Sequence, residues 1–351
     1  MKKIHPLILM ALMSSCGAIK FNADPLSGPL YFENKKAPLS DIEKKQWHLL
    51  DLIKDSIPGM SVERAYEELL KDKKGSSVIV AVIDSGVDIN HPELKNVIWV
   101  NENEIPNNGI DDDDNGFIDD INGWNFLGNC EQENMESVRL QKKEDPLSEV
   151  YKKFEKERQK NIQDKLQEIS NIDDFMNKAI ASDSIIKKTL GKESYRLEDI
   201  ESFSPKSFKL INALMFQRSF QERGLSILKL EDYKKTALTS IDKHYSLDFN
   251  PRSIIGDNPD DINDVGYGDG NVIGPTLSGA DHGTHVSGII ASARNDNSGS
   301  KGIYNNIRIM VLRAVPDGDE YDKDVALAIR YAVDNGATVI NTSFGKGYSP
   351  H

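Results

Sequence analysis

Three apolar runs along the chain have the pattern of buried β-strands. Val78 to Ile83 is a continuous run rich in β-branched side chains, and Asp84 closes it. Ile307 to Val315 and Thr338 to Asn341 repeat the pattern further along the chain. Continuous apolar runs are typical of strands that are covered on both faces, as in parallel sheets. The sequence therefore predicts a parallel sheet that contains these three strands.

Helical periodicity fills the segments between the later strands. A first apolar helix face begins just after His282, and a second lies within a helix predicted from Asp324 to Asn335. The residues of the two faces are Val286, Ile289, Ile290 and Ala293, and Val325, Ala328, Ile329 and Ala332. Strands that alternate with helices predict an α/β fold, here a doubly wound parallel sheet.

Residues 128–252 interrupt this alternation with a helical insertion. The segment is rich in Lys and Glu, and an apolar patch from Phe208 to Leu230 predicts another helix or two within it. Its helical spacing is carried by Tyr151, Phe154, Arg158, Ile162, Leu166 and Ile169. The insertion could be a lid or a subdomain that binds substrate or partner, or it could decorate the surface. Because none of its residues carries recognisable chemistry, the sequence favours surface decoration.

Residues 1–16 have the organisation of an export signal. Two lysines precede a short apolar run, Leu7 to Met13, which is too short to span a bilayer as a helix. Cys16 follows two serines, and this resembles a bacterial lipoprotein signal, in which the cysteine is lipidated. The alternative is an ordinary cleaved signal. Lipidation would leave Cys130 without an intrachain partner, so no disulfide is expected.

The next residues, 17–45, have no sustained period and predict a tether or a short pro-segment. Ser61 to Leu70 then predicts a helix with Ser61 as its N-cap, because an acidic first turn follows the serine.

Composition restricts the partners of the protein. The 351 residues contain 43 Lys and Arg against 56 Asp and Glu, which gives a net charge of −13 and a pI near 5.1. This balance argues against nucleic acid and anionic membrane surfaces as main partners, and is compatible with metal cations. We expect membrane association only through a lipid on Cys16. The expected location is the bacterial cell envelope, or the exterior if the protein is secreted.

An acidic loop before the insertion has the spacing of a calcium site. Asp111, Asp113 and Asn115 alternate and a glycine follows, which matches the opening of an EF-hand loop, and Asp119 would supply a further ligand. Asn122 stands where the bidentate Glu of an EF-hand would be. The alternative is a solvated acidic turn. Because clustered carboxylates repel one another and a cation relieves the repulsion, the sequence favours calcium as a cofactor.

Two motifs carry the candidate chemistry. Asp84, taken alone, could be a turn residue, and His282 could be a surface residue at a helix start. Together, VIVAVIDSGVD and DHGTHVSG resemble the catalytic Asp and His motifs of the subtilisin-like serine proteases (subtilases), in that family's order. The resemblance implies a serine endopeptidase acting on polypeptides, with His282 as general base and Asp84 orienting it.

The same resemblance extends to two further segments. VINTSFG is similar to the subtilase segment that pairs with extended substrate, which implies that Ser343 and Gly345 bind the substrate. The acidic loop followed by Gly-Trp-Asn-Phe resembles subtilases of bacterial lipoprotein type.

The nucleophile of a subtilase does not occur in these 351 residues. The family carries its serine in a Gly-Thr-Ser-Met-Ala motif and has an oxyanion-hole asparagine, and neither motif is present. We therefore expect an N-terminal fragment that is inactive alone, with residues 46–127 and 253–351 as two parts of one subtilase domain. The alternative is a non-catalytic, surface-anchored protein of the same fold that binds calcium or peptides.

Overall fold

The computed structural model describes residues 32–71, 73, 75–196, 198–199, 207–294 and 300–349. The predicted export signal with Cys16 lies outside the described residues, as do residues 17–31 of the predicted tether. The chain divides into two compact units, residues 1–71 and 72–351. Among the described helices, none combines the length and the apolar character needed to cross a bilayer.

The first unit consists of short helices: α1 (Asp41–Gln46), α2 (Leu52–Asp55) and α3 (Val62–Ala65), the last continued by a π-helical turn, Tyr66–Leu70. The predicted helix from Ser61 is therefore present and Ser61 occupies its N-cap position, but the serine side chain does not cap the helix. Ser61 has a left-handed backbone (φ 60°) and forms no capping hydrogen bond. Its side chain bonds to Asp51 instead, so tertiary contact overrides the local capping pattern.

Residues 46–71 lie in the first compact unit, and this stretch closes on itself through backbone hydrogen bonds. The amide of Met60 donates to the His48 carbonyl at 2.8 Å, and that of Ser61 donates to the Leu50 carbonyl at 3.0 Å. The boundary at residue 46 stays a prediction, as do the other domain boundaries.

The second unit is built on a four-stranded sheet. Its strands are β1 (Val78–Asp84), β2 (Gly123–Asn125), β3 (Ile307–Arg313) and β4 (Val339–Thr342). Their order is β2-β3-β1-β4, and every pair is parallel. Asp84 is paired in register with Arg313, so the carboxyl ends of the two central strands lie side by side.

The predicted insertion is helical in the structure. It contains α4 (Glu136–Lys143), α5 (Glu149–Leu190), α6 (Phe208–Glu222) and α7 (Ile227–Thr239), and α8 (Arg252–Ile255) begins at its last residue. The 42-residue α5 packs along α6 and α7. Buried Ile186 meets Leu210 and Leu214, and Phe220 meets Leu230, so these helices have apolar clusters of their own.

Two further helices cover the two faces of the sheet. On one face, α9 (Asp281–Ala291) packs on Val80 and Val82; on the other, α10 (Asp322–Asp334) packs on Ala81 and Ile83. Successive strand residues point to opposite faces, so a continuous apolar run is what such a strand requires. The predicted doubly wound α/β fold is confirmed.

The buried face of α10 differs in part from the predicted face. Ala328 and Ala332 are buried as expected, but Ile329 is 40% exposed and Leu327 and Tyr331 are buried in its place. Tyr331 can be buried because its hydroxyl donates to the buried carboxylate of Asp120, which leaves no unsatisfied polar group.

Candidate active site

Asp84 is the last residue of β1 and is held rigidly at the carboxyl end of the sheet. It is 2% exposed. Its Oδ1 accepts a hydrogen bond from the Ser85 amide at 2.7 Å. Its backbone carbonyl accepts from the amides of Ala314 and Val315 at 3.0 and 3.2 Å, which joins the end of β1 to the residues after β3. Ligands of open α/β sheets gather at this edge.

His282 lies in the first turn of α9 and meets Asp84 directly. Its Nδ1 is 2.8 Å from Asp84 Oδ1, although the two residues are 198 positions apart in the sequence. A carboxylate only accepts, so Nδ1 carries the hydrogen and the other ring nitrogen, Nε2, is left as the base. The His282 side chain is 57% exposed. The predicted imidazole at a helix N-terminus is confirmed.

The start of α9 is fixed to the loop after β1 by Thr284. The Thr284 hydroxyl donates to the Ala280 carbonyl at 2.6 Å and accepts from the Asp88 amide at 2.8 Å. It therefore serves both the first turn of the helix and the loop that follows Asp84. The His–Asp distance depends on this connection, because the two residues lie on separate elements.

Gly283 allows α9 to approach the end of β1. A Cβ built on Gly283 would lie 2.1 Å from the carbonyl oxygen of Gly86 and 3.1 Å from the Cβ of Asp84. Gly86 has φ +117°, a conformation that favours glycine. The two glycines allow the backbone of α9 to contact the backbone of the loop after β1, beside the His–Asp pair.

A cleft of about 680 Å³ opens beside this pair. The cleft is lined by Asp84, Ser85, Glu131, Gln132, Thr236, Thr276, Ser278, Gly279, Asp281, His282, Arg313, Val315, Pro316, Asp317, Ser343 and Phe344. Of the residues predicted to bind substrate, Ser343 thus lies in the same cleft as His282, whereas Gly345 is exposed and outside its lining. The Ser343 hydroxyl accepts from Asn341 Nδ2 at 3.0 Å.

Arg313 is a buried cation in the cleft lining that the sequence analysis did not identify. Its Nε donates to the Ser85 carbonyl at 3.0 Å, and its Nη2 donates to the Cys130 carbonyl at 2.7 Å. Its Nη1 donates to both Asn125 Oδ1 and the Gly128 carbonyl, at 2.9 and 3.0 Å. Burial lowers the pKa of Arg313. The guanidinium therefore fixes the loops around Asp84. The sequence does contain one indication of this role, since Arg313 is a charged residue at the end of an apolar strand.

The acidic loop brings together two of the predicted calcium ligands and one residue that was not predicted. Oxygens of Glu104, Asp111 and Asp113 lie within 4.8 Å of one another. Glu104 is 6% exposed and accepts from the amides of Asp112, Asp113 and Asp119 at 2.7, 3.2 and 3.1 Å. Asp113 Oδ1 is buried and has no hydrogen-bond partner.

The other two predicted ligands are turned to backbone groups. Asp119 accepts from the amides of Asn108 and Gly109 at 3.1 and 3.0 Å. Asn115 Oδ1 accepts from the Phe117 amide at 2.8 Å. Asp111 likewise accepts from the amides of Asn115 and Gly116 at 3.0 and 2.7 Å. Such bonds therefore do not distinguish one predicted ligand from another, and the EF-hand assignment stays a prediction. Spacing alone could not find Glu104, because it precedes the motif.

The sequence model of the subtilase family matches residues 75–351. The chain belongs to the subtilase family. The motif that carries Asp84, the motif that carries His282 and the cleft between them all lie within the matched range. The family prediction is confirmed; the lipoprotein type and the fragment status stay predictions.

Three relatives show where the similarity of this subtilase lies. It is 48% identical over 64 residues to "Subtilisin-like protease 1" of Plasmodium berghei (strain Anka), across 18% of this chain and 11% of that protein. It is 48% identical over 65 residues to "Thermophilic serine proteinase" of Bacillus sp. (strain AK1), across 18% and 16%. It is 40% identical over 68 residues to "Cell wall-associated protease" of Bacillus subtilis (strain 168), across 19% and 8%. The aligned segments span less than a fifth of each relative.

Proposed function

We propose that this subtilase chain is the Asp- and His-bearing part of a serine endopeptidase. The observation that carries the proposal is the 2.8 Å contact between His282 Nδ1 and Asp84 Oδ1 at the edge of the cleft. In a peptidase, His282 takes the proton of the attacking serine and later gives it to the leaving amine, while Asp84 holds the tautomer and stabilises the imidazolium. The serine and the oxyanion-hole asparagine are assigned to residues outside this chain, so this chain alone is expected to be inactive.

Substrate binding is assigned to the segment after β4. Ser343 lines the cleft that also contains His282. An extended peptide can add to a strand edge through backbone hydrogen bonds, and alternate side chains then enter pockets. In the proposed function the backbone of Ser343 and Gly345 forms these hydrogen bonds, and the substrate is a polypeptide rather than nucleic acid.

Calcium is proposed as the cofactor of the acidic loop, with a revised set of ligands. The residues fit a hard cation because Glu104, Asp111 and Asp113 offer carboxylate oxygens within 4.8 Å of one another. The buried Asp113 Oδ1 has no other partner, so a cation would satisfy it. Calcium takes six to eight oxygen ligands, so carbonyl groups or water would complete the site. Bound calcium would stabilise the loop and would take no part in the chemistry.

Export and anchoring complete the proposal. The N-terminal signal directs the protein to the bacterial cell envelope, and a lipid on Cys16 holds it there. The named relative that is associated with a cell wall supports an envelope location. We treat the chain as the N-terminal fragment of a subtilase of lipoprotein type.

A fluorophosphonate probe tests the catalytic proposal, because it reacts with activated serines. The protein is expressed from its own gene and labelled, and the expected result is a labelled band larger than this chain. Asp84→Asn should slow labelling by ~10⁴-fold, because the amide favours the wrong imidazole tautomer. A stable, unlabelled protein that ends at His351 would refute the peptidase and favour a non-catalytic binding protein.

A further inference from the structure

The segment after β4, residues 343–349, connects the cleft with the helical insertion. We call it the post-β4 segment. Its first residues, Ser343 and Phe344, line the cleft. Its later residues contact α4 and α5, which belong to the insertion that the sequence analysis regarded as surface decoration.

Lys346 is the main connection between the post-β4 segment and α4. Its Nζ lies 2.8 Å from Glu136 Oε2, 2.8 Å from Asp322 Oδ1 and 2.9 Å from the Glu320 carbonyl oxygen. The side chains of Lys346 and Glu136 are 7% and 5% exposed. Such buried, charge-assisted hydrogen bonds are stronger than the exposed ion pairs of a solvated helix.

Tyr348 makes a second connection, to α5. Its ring packs edge-on against Phe154 with the ring centroids 5.5 Å apart, and Phe154 is 7% exposed. Its hydroxyl donates to Glu157 Oε2 at 2.8 Å. One residue therefore combines an apolar and a polar contact with the same helix.

The insertion can act as a support because α4 is itself fixed beside α10. Arg139 donates to the carbonyl oxygens of Asp319 and Glu320 at 2.7 and 2.9 Å. The Tyr321 ring lies between two guanidinium groups, 4.0 Å from that of Arg139 and 3.8 Å from that of Arg252. These contacts join the insertion to the residues that immediately precede α10.

The side chains are what hold the post-β4 segment. Among the described residues, the backbone of residues 343–348 forms no hydrogen bond with other backbone groups, since the ladder between β1 and β4 ends at Thr342. The insertion also reaches the cleft directly, because Thr236 of α7 is part of the lining.

We propose that the insertion positions the substrate-binding residues, with Lys346 and Tyr348 as positioning residues. By fixing the post-β4 segment on α4 and α5, they hold the backbone of Ser343 and Gly345 in the conformation that pairs with an extended peptide. A backbone fixed in advance spares the entropy that ordering would otherwise cost on binding. This inference rests on the proposed function, and it gives the insertion a role in peptide affinity.

The test compares four variants of the full-length protein expressed from its own gene. Lys346→Met removes the ammonium and keeps an unbranched side chain, Tyr348→Phe removes only the hydroxyl, and Lys346→Arg restores a cation. The matched control is Lys152→Met on α5, where the lysine pairs with an exposed glutamate. Two quantities are measured: the rate of limited proteolysis within residues 343–349 by a protease of broad specificity, and kcat and KM for an extended peptide.

Loss of buried charge-assisted hydrogen bonds in Lys346→Met should speed cleavage of the segment ~10-fold or more and raise KM ~10-fold, with kcat within ~2-fold. Tyr348→Phe should change both in the same direction by ~3-fold, as expected for one hydrogen bond. Lys346→Arg should recover part of the affinity, and Lys152→Met should match the unsubstituted protein.

Three results would overturn the inference. Lys346→Met could match Lys152→Met in both measurements, its segment could be cleaved faster at unchanged KM, or it could lose kcat alone, as a general loss of folded enzyme would predict. Failure of the proposed function is distinguishable, because the unsubstituted protein would then neither hydrolyse peptide nor react with the fluorophosphonate. In that case limited proteolysis is measured as before, and the affinity for a fluorescent extended peptide replaces KM in the same comparison.

Discussion

Substitution of Gly283 by Ala tests the packing that produces the His–Asp pair. The new Cβ would lie 2.1 Å from the Gly86 carbonyl oxygen, whereas ordinary contact begins at 3.4 Å, so α9 and the loop after β1 must separate by about 1.3 Å. A movement of that size along the line between His282 Nδ1 and Asp84 Oδ1 would lengthen their 2.8 Å contact to about 4 Å. No hydrogen bond forms at that distance.

Gly288→Ala is the matched control, because it makes the same change in the same helix. A Cβ on Gly288 would meet no described heavy atom within 4 Å apart from the neighbouring backbone of its own helix. Each substitution removes the same backbone freedom from the unfolded chain, which is worth up to ~0.5–1 kcal/mol in a helix. The difference between the variants therefore isolates the steric clash, and Gly283→Ala should be ~1–3 kcal/mol less stable than Gly288→Ala, as for other overpacked cores.

Two measurements decide the outcome. Urea unfolding followed by tryptophan fluorescence gives the free energy of unfolding of each variant. Proton NMR follows the Nδ1 proton of His282, which should move upfield in Gly283→Ala and stay in place in Gly288→Ala as the hydrogen bond to Asp84 is lost or kept. Equal stability of the two variants with an unchanged Nδ1 resonance would refute the reasoning.

Three further predictions concern the acidic loop, a buried carboxyl group and the buried thiol. Calcium at 100 times its dissociation constant should add ~2.7 kcal/mol to the free energy of unfolding. Glu104→Gln and Asp113→Asn should lose this gain, whereas the control Asp114→Asn, at an exposed position, should keep it. Melting curves with and without calcium measure the difference. Burial raises the pKa of Glu133 from 4.5 to about 7, so the folded state binds a proton that the unfolded chain releases. Stability should therefore fall as pH rises from about 4.5 to about 7, by at most ~3 kcal/mol, and a Glu133→Gln variant whose denaturation shows the same pH dependence would contradict this. Cys130 is 2% exposed and burial raises the pKa of its thiol to about 11; iodoacetamide should alkylate it only as the protein unfolds in urea, and rapid alkylation in the native state would be the contrary result.

Some elements of the fold could be predicted closely because the signal is local. The run from Val78 becomes β1 with its bounds almost unchanged, and the helix predicted from Asp324 begins two residues earlier, at Asp322. The sequence predicts less accurately which face of a helix is buried. The sequence could not assign Tyr331 to the core, because its burial depends on Asp120, a partner 211 positions away.

The candidate site divides in the same way. The residue types and the order of the two motifs were enough to assign Asp84 and His282, and the 2.8 Å contact agrees with that assignment. In the acidic loop, alternation predicted Asp111 and Asp113, whose oxygens lie close together in the structure, but Glu104 joins them from outside the motif. The direction in which a loop carboxylate points depends on the backbone amides around it. The spacing of acidic residues in the sequence carries no information about those amides.

The parallel α/β core could be predicted from the periodicity of the sequence, and the family from the residue types in two short motifs. The contacts of Arg313 and Lys346 are visible only in the folded structure. A lone charged residue in a sequence is equally compatible with solvent exposure and with burial. Its role appears when folding removes water and brings partners such as Glu136, 210 positions from Lys346, within hydrogen-bonding distance.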